Sequence, residues 1–227
     1  MVLKWNKQFE YPKSVRELIN DKRHYAIGDE KLPSVTTILS ATQSEEKQES
    51  LKRWKAKVGE NEAERVKNTA GARGTKMHSI LEGYIEGENV LDLTETGGEA
   101  HRMANTIIDQ GFKDLDEIWG SEATLAYPGL YAGATDLVGI YQGRDSIIDF
   151  KQSNKPKKVE WIEDYKLQGA AYATAHDYMF KTSIEQIVIL MCTPDCFFQR
   201  FIINGKEFRE YKWKWLERVN QYYEQKS

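Results

Sequence analysis

Three strand-like runs crowded into residues 117–152 constrain this chain more than any other feature in it. EIWGSEATLAYP, LYAGATDLVGIY and DSIIDFK carry β-branched and aromatic residues, and Pro128-Gly129 and Gln142-Gly143 separate them at hairpin distance. Two consecutive hairpins make a three-stranded antiparallel unit on which everything else must be laid. Ile147, Ile148 and Phe150 make the third run apolar almost throughout, which predicts a central strand. With Gln142-Gly143 as a two-residue loop, Tyr141 faces Arg144, and counting back along both strands sets Asp136 opposite Asp149. A four-residue loop would keep both acids on one face, whereas a three-residue loop would reverse one of them.

The flanks read as helices with two further strands. Residues 24–27 (HYAI) suit a short strand, and Leu32-Pro33-Ser34 leads into a helix over VTTILS. Residues 45–70 are strongly charged, with Leu51, Trp54, Val58 and Val66 as sparse anchors, and predict one or two exposed helices. Met77, Ile80, Leu81, Tyr84 and Ile85 recur at helical spacing within 72–86, and another helix is expected over 99–110. A long helix over about 159–180 contains Gly169, Ala170, Ala171, Ala173 and Ala175, small residues that permit close packing on a sheet. IEQIVILMC and CFFQRFII form two strands around Thr193-Pro194-Asp195, and an amphipathic helix follows over about 206–223. The expected architecture is a mixed α/β core over residues 71–227, its central sheet flanked by helices, preceded by a helical part over residues 1–70.

Composition bounds the function classes. The chain has 227 residues, 40% hydrophobic and 30% charged, enough for a globular core. A formal net charge of −3 counts mildly against a sequence-independent nucleic-acid binder, although a local positive path remains compatible with it. Two cysteines, Cys192 and Cys196, are too few for a disulfide framework or a four-cysteine metal cluster, and read as thiols near a hairpin. The first residues alternate charged and aromatic side chains, with neither a signal-peptide core nor a membrane-length apolar run. The expectation is a soluble cytoplasmic protein with no membrane partner.

Chemistry concentrates on a few residues. Opposed side chains in a hairpin have Cβ atoms about 4.5–5.5 Å apart, so Asp136 and Asp149 would repel unless a cation sits between them. Carboxylate oxygens in such a cluster suit Mg²⁺ or Mn²⁺. Lys151, two residues beyond Asp149, points the same way along an extended strand. His78 lies near the start of a helix at the border of its apolar stripe, where a neutral imidazole could serve as a metal ligand. Glu82 follows one turn later, and Gln168 with Tyr172 are again one turn apart on a later helix. Each has a competing structural reading: a strand-end ion pair, a boundary histidine, a solvated glutamate, ordinary helix positions.

Taken in order, these residues resemble a known pattern. GTKMH, the ATD of YAGATDLVGIY, DFK and QGAAY resemble the GTxxH, GxxD, (D/E)xK and QxxxY motifs of the RecB-like branch of the PD-(D/E)XK nuclease superfamily. LPSVTTIL and the segment Trp119-Gly120-Ser121-Glu122 narrow the resemblance to mitochondrial genome maintenance exonucleases and related phage exonucleases. The resemblance implies a PD-(D/E)XK core in which His78, Asp136, Asp149 and the Phe150 carbonyl ligate Mg²⁺ or Mn²⁺. It implies Lys151 as the catalytic lysine, with Gln168 and Tyr172 accessory and Glu82 nearby. The cysteine count excludes the iron–sulfur subgroup, and no GxxxxGK[ST] motor motif is present.

The reaction so implied is hydrolysis of DNA phosphodiesters, with single-stranded ends as the expected partner and products bearing a 5′-phosphate. Lys155, Lys157, Lys158 and Arg73 are candidates for phosphate contacts, and Trp54, among Lys52, Arg53, Lys55 and Lys57, for base stacking. Solvated loops and a helix with one anchoring tryptophan are the competing readings. The 33–68 segment would serve as a cover through which a flexible strand threads. A structure-specific or restriction-like endonuclease on the same core, and a catalytically silent nucleic-acid or protein-binding module, stay open at this point.

Overall fold

The computed structural model describes residues 3–225. Strands β1 (Val15–Ile19), β2 (Lys22–Ile27) and β3 (Glu30–Pro33) form an antiparallel meander, and α1 (Val35–Ala41), α2 (Glu45–Val58), α3 (Glu60–Glu86) and α4 (Glu95–Gly111) follow. Then come β4 (Leu115–Tyr127), β5 (Tyr131–Tyr141), β6 (Arg144–Gln152), α5 (Glu163–Phe180), β7 (Gln186–Cys192), β8 (Phe198–Asn204) and α6 (Gly205–Glu224). The second sheet runs β4-β5-β6-β7-β8 in sequence order. All neighbours in it are antiparallel except β6 and β7, which α5 joins as a parallel crossover.

The hairpin expectation holds in register: Tyr141 pairs with Arg144, and Gln142 and Gly143 take φ of 49° and 73°, the left-handed conformations of a tight two-residue turn. Helices cover both faces of the sheet. On one, Met77, Leu81 and Ile85 of α3 and Met103 and Ile107 of α4 cluster with Leu137, Ile148 and Leu190. On the other, Leu167, Ala170 and Ala171 of α5 cluster with Val138, Ile147 and Ile189, with Trp215 of α6 behind them. A Cβ on Gly169 would lie 2.4 Å from the Ile187 side chain, so the small residues of α5 do allow it to settle directly on β7.

The N-terminal part differs from the expectation of a wholly helical segment over 1–70. Residues 15–33 are strands, of which only 24–27 were legible, because VRELI and EKLP carry too many charges to show a clean alternation. Nor does a boundary fall at residue 70: α3 runs unbroken from Glu60 to Glu86 and the break comes at Gly59, whose φ of 88° a side chain would resist. Gly71 and Gly74 lie inside that helix, and a Cβ at Gly74 would approach the Gln152 side chain to 3.2 Å, so the glycine marks close packing and not a helix end. Helix α4 starts at Glu95 under a Thr94 cap, four residues earlier than expected, and residues 159–161 are a 3₁₀ turn ahead of α5.

Candidate active site

The β5–β6 ladder ends at Leu137 with Ile148, one pair short of the expected Asp136–Asp149 pairing, and beyond it the two strands part. Asp136 fills the gap by accepting the Phe150 N–H on Oδ2 at 2.6 Å, so a side chain takes over from the backbone at the mouth of the sheet. Its other oxygen lies 3.1 Å from His78 Nδ1, which α3 delivers there. Asp149 and Lys151 stand two residues apart on the same face of β6, with Asp149 Oδ2 2.5 Å from Lys151 Nζ. The Lys151 ammonium also lies 5.2 Å from the centre of the Tyr165 ring.

One cleft of about 400 Å³ is lined by His78, Glu82, Asp136, Asp149 and Lys151. Gln168 and Tyr172 line the same cleft, and Gln168 donates to the Tyr172 hydroxyl at 3.3 Å. Gly133 makes room for that tyrosine, since a Cβ there would meet its ring at 2.7 Å. The residues singled out for chemistry in the sequence, spread over nearly a hundred positions, thus converge on one site. Phe150 does not line the cleft: its ring is buried against Phe112 at 5.6 Å, and its backbone N–H is what reaches Asp136.

Glu122 is the member that sequence reasoning missed. His78, Glu122 and Asp136 each offer a ligand atom within 4.8 Å of the others, the geometry of a metal-binding trio. The β4–β5 register sets Ser121 against Leu137 and Ala123 against Thr135, which brings Glu122 across from Asp136. Its φ of 46° is unusual for a non-glycine residue in a strand. The signal lay in the WGSE segment, which marked the resemblance without identifying a ligand.

Charges in the site are strongly coupled. Burial pushes Glu122 up to about 7, helped by Asp136 and Glu82. Burial likewise pushes Asp149 up to about 6 against the pull of Lys151. Burial would raise Asp136 too, but the His78 charge and hydrogen bond outweigh it and hold that carboxyl below the usual range. In His78 and Lys151 burial favours the neutral form, and the neighbouring carboxylates more than restore the charge, so both lie above their ordinary values. Asp149 Oδ2 is fully buried with no directed hydrogen bond, leaving the Lys151 ammonium as its counter-charge. Oxygen and imidazole donors gathered at mutual repulsion fit a hard divalent cation.

The expected nucleic-acid contacts divide. Trp54 of α2 and Lys155 and Lys157 of the β6–α5 loop meet in a second cleft of about 570 Å³, together with Trp161 and Tyr165. The Lys158 ammonium lies 5.4 Å from the centre of the Trp161 ring. Arg73 departs from the expectation of a phosphate contact. It is buried, pairs with Glu99 at 2.9 Å, and donates to Gln152 and Asn154, so its guanidinium is consumed in docking α3 onto α4 and the end of β6.

No family model matches the chain. Mitochondrial genome maintenance exonuclease 1 of Mus musculus is 29% identical over 207 residues, covering 86% of this chain and 60% of that protein. The Homo sapiens protein of the same name is 27% identical, covering 86% of this chain and 59% of its own length. The chain resembles the PD-(D/E)XK nucleases. It spans about 60% of the length of the curated relatives it matches. Among solved structures, a Eubacterium rectale protein described as a candidate exonuclease overlaps with a TM-score of 0.49 at 16% identity, covering 67% of this chain and 64% of its own. An alkaline exonuclease from Laribacter hongkongensis overlaps with a TM-score of 0.31 at 13% identity, covering 67% and 83%. These overlaps are too loose to weigh beside the strand order and the site. No helix among the described residues is long and apolar enough to cross a membrane.

Proposed function

We propose that the chain is a metal-dependent deoxyribonuclease, an exonuclease acting on single-stranded ends. The observation that carries this reading is the convergence of His78, Glu122 and Asp136 with the Asp149–Lys151 pair in one cleft. Both relatives are named exonucleases, and their matches span the segments that hold these residues.

His78, Asp136 and Asp149 would hold Mg²⁺ or Mn²⁺, with Glu122 as a further ligand and the Phe150 carbonyl as the resemblance implies. Such an ion supplies Lewis acidity toward a phosphoryl oxygen and a lowered pKa for the attacking water. Lys151 stays protonated beside Asp149 and offsets charge that builds on the phosphate oxygens. Gln168 and Tyr172 supply an amide and a hydroxyl at the cleft wall, oriented toward each other, to position water or a phosphate oxygen. Tyr165 borders the second cleft and also packs on Lys151, so a strand whose bases rest near Trp54, Trp161 and Tyr165 would carry its backbone toward the catalytic lysine. Lys155 and Lys157 would meet its phosphates there.

The single-strand preference rests on α2. This helix buries none of its residues and reaches α5 through the Lys47–Asp164 ion pair, as a detachable cover would. The test is digestion of end-labelled linear single strands, linear duplexes and closed circular single strands with Mg²⁺ or Mn²⁺. Digestion of linear single strands alone is the expected result. Equal digestion of circles would replace the exonuclease reading with an endonuclease, and no cleavage with either metal would leave a binding module.

A further inference from the structure

The cleft that gathers the carboxylates is lined by side chains of two separate sheets. His78, Glu82, Glu122, Asp136, Asp149 and Lys151 come from α3 and the five-stranded sheet. Arg16, Arg23 and Tyr25 come from β1 and β2 of the meander. Arg16 pairs with Tyr25 across the β1–β2 ladder, and Arg23 precedes Tyr25 by two residues, so all three project from one face of the meander. This face was invisible in the sequence, where both arginines sit in what reads as charged surface.

Arg16 is only loosely paired, and Arg23 is held through its backbone with its charge left over. The Arg16 guanidinium lies 5.8 Å from the centre of the Tyr25 ring, and its nearest acid is Glu122 at 3.5 Å, longer than a charge-assisted hydrogen bond of about 2.7–2.9 Å. The Arg23 backbone is anchored, its carbonyl accepting from the Ser34 N–H and the Thr37 hydroxyl, both at 2.9 Å. Its guanidinium makes no ion pair among the described residues. Lys151, by contrast, is already paired with Asp149. A polyanion entering a cleft with four carboxylates needs positive charge that is free to meet it, and a guanidinium fork matches phosphate oxygens in pairs.

We propose that Arg16 and Arg23 form a phosphate-binding subsite that grips nucleic-acid phosphates next to the bond being cleaved. The proposal rests on the nuclease reading and adds to it which residues hold the strand at the reacting end. Entry of a phosphate draws Arg16 away from Glu122, which leaves that carboxylate to the metal-binding trio. The shared chemistry is a phosphate mono- or diester, supplied either by the strand's backbone or by its terminal phosphate.

The experiment measures binding of fluorescent oligothymidylate to the full chain in EDTA, across a salt series, for strands bearing a 5′-phosphate, a 3′-phosphate or neither. For Arg16→Ala/Arg23→Ala, affinity for every strand is expected to fall, and the slope of log K against log salt to shrink by about 1.4, roughly 0.7 per lost single-strand phosphate contact. A loss confined to one phosphorylated strand would assign the subsite to that terminal phosphate. Arg16→Lys/Arg23→Lys keeps the slope and recovers part of the affinity, which a purely structural role would not do. In cleavage assays with metal, KM rises while kcat changes little. Both arginines are exposed, so an unchanged melting temperature is expected to accompany the loss. Unchanged affinity and slope in the alanine variant, beside a wild type that binds and cuts, would overturn the subsite alone. A wild type that neither binds nor cuts would overturn the nuclease reading with it.

Discussion

His78 is partly buried and His176 fully buried, and the regions around them have made opposite things of the same side chain. His78 sits among Asp136, Asp149 and Lys151, and its pKa is raised because the neighbouring carboxylates outweigh the cost of burial. His176 is fully buried among Phe9, Tyr11, Trp119 and Phe180, and burial pushes its pKa down to about 4 with only Asp177 pulling the other way. Its ring nitrogens meet the Tyr11 hydroxyl at 3.2 Å and the Thr182 hydroxyl at 2.7 Å, neutral partners that satisfy a neutral imidazole. The aromatic cluster ties the N-terminal segment to α5 and contributes stability. The acidic cleft holds unneutralised charge, which costs stability and makes chemistry possible. Burial alone therefore identifies neither role, and the polarity of the neighbours does.

The largest effect should come from the cleft. Asp149→Asn is expected to reduce cleavage at least about a thousandfold, the scale of removing one member of a catalytic unit, while oligonucleotide binding in EDTA persists. Wild-type turnover by this variant would erase the functional side of the comparison. Next comes acid stability at His176. The unfolded chain takes up a proton near pH 6.5 while the folded chain resists it until about 4, so stability present above pH 6.5 is lost as pH falls toward 4. The loss is on the order of 3 kcal/mol, read by denaturant titration at successive pH values. A His176→Phe variant should be less stable at neutral pH and flatter across that window; an unchanged acid slope would show that His176 is not the group responsible. His78→Ala sharpens the contrast from the other side: the Mn²⁺ concentration for half-maximal activity should rise about ten- to a hundredfold, with little loss in thermal melting. A large melting loss with unchanged metal dependence would make His78 a packing residue like His176. The smallest effect is expected at Trp54, 37% exposed on α2. Trp54→Ala should weaken single-strand binding by about 1 kcal/mol and change stability by less than about 0.5 kcal/mol. A stability loss larger than the binding loss would mean that the indole anchors α2 and does not serve a strand.

Local rules made much of this legible in the residues. Gln142-Gly143 specified a tight hairpin, the hairpin set the register as far as Leu137 and Ile148, and that register carried Asp136 and Asp149 to the same open end of the strand pair before any long-range contact was known. The small residues of α5 foretold its approach to the sheet, and the i, i+4 spacing of Gln168 and Tyr172 foretold their shared face. These features depend on neighbours in sequence, or on pairings that a turn enforces. What the sequence could not reveal depended on segments that meet only after folding. Arg73 looks like any exposed arginine until α3 lies against the end of β6 and Glu99 reaches it. Glu122 becomes a partner of His78 only because α3 and β4 converge on Asp136. Trp54 and Lys155 share a cleft from positions a hundred residues apart. The meander shows no alternation strong enough to announce strands, so its arginines acquire a place only when β1 and β2 pack beside the cleft. The sequence by itself determined the central hairpins, the order of the helices and the acids gathered at the open end of the β5–β6 pair. The tertiary structure alone decided which charges line the cleft and which are consumed in packing, because long-range electrostatics and burial are properties of the assembled neighbourhood and of no single segment.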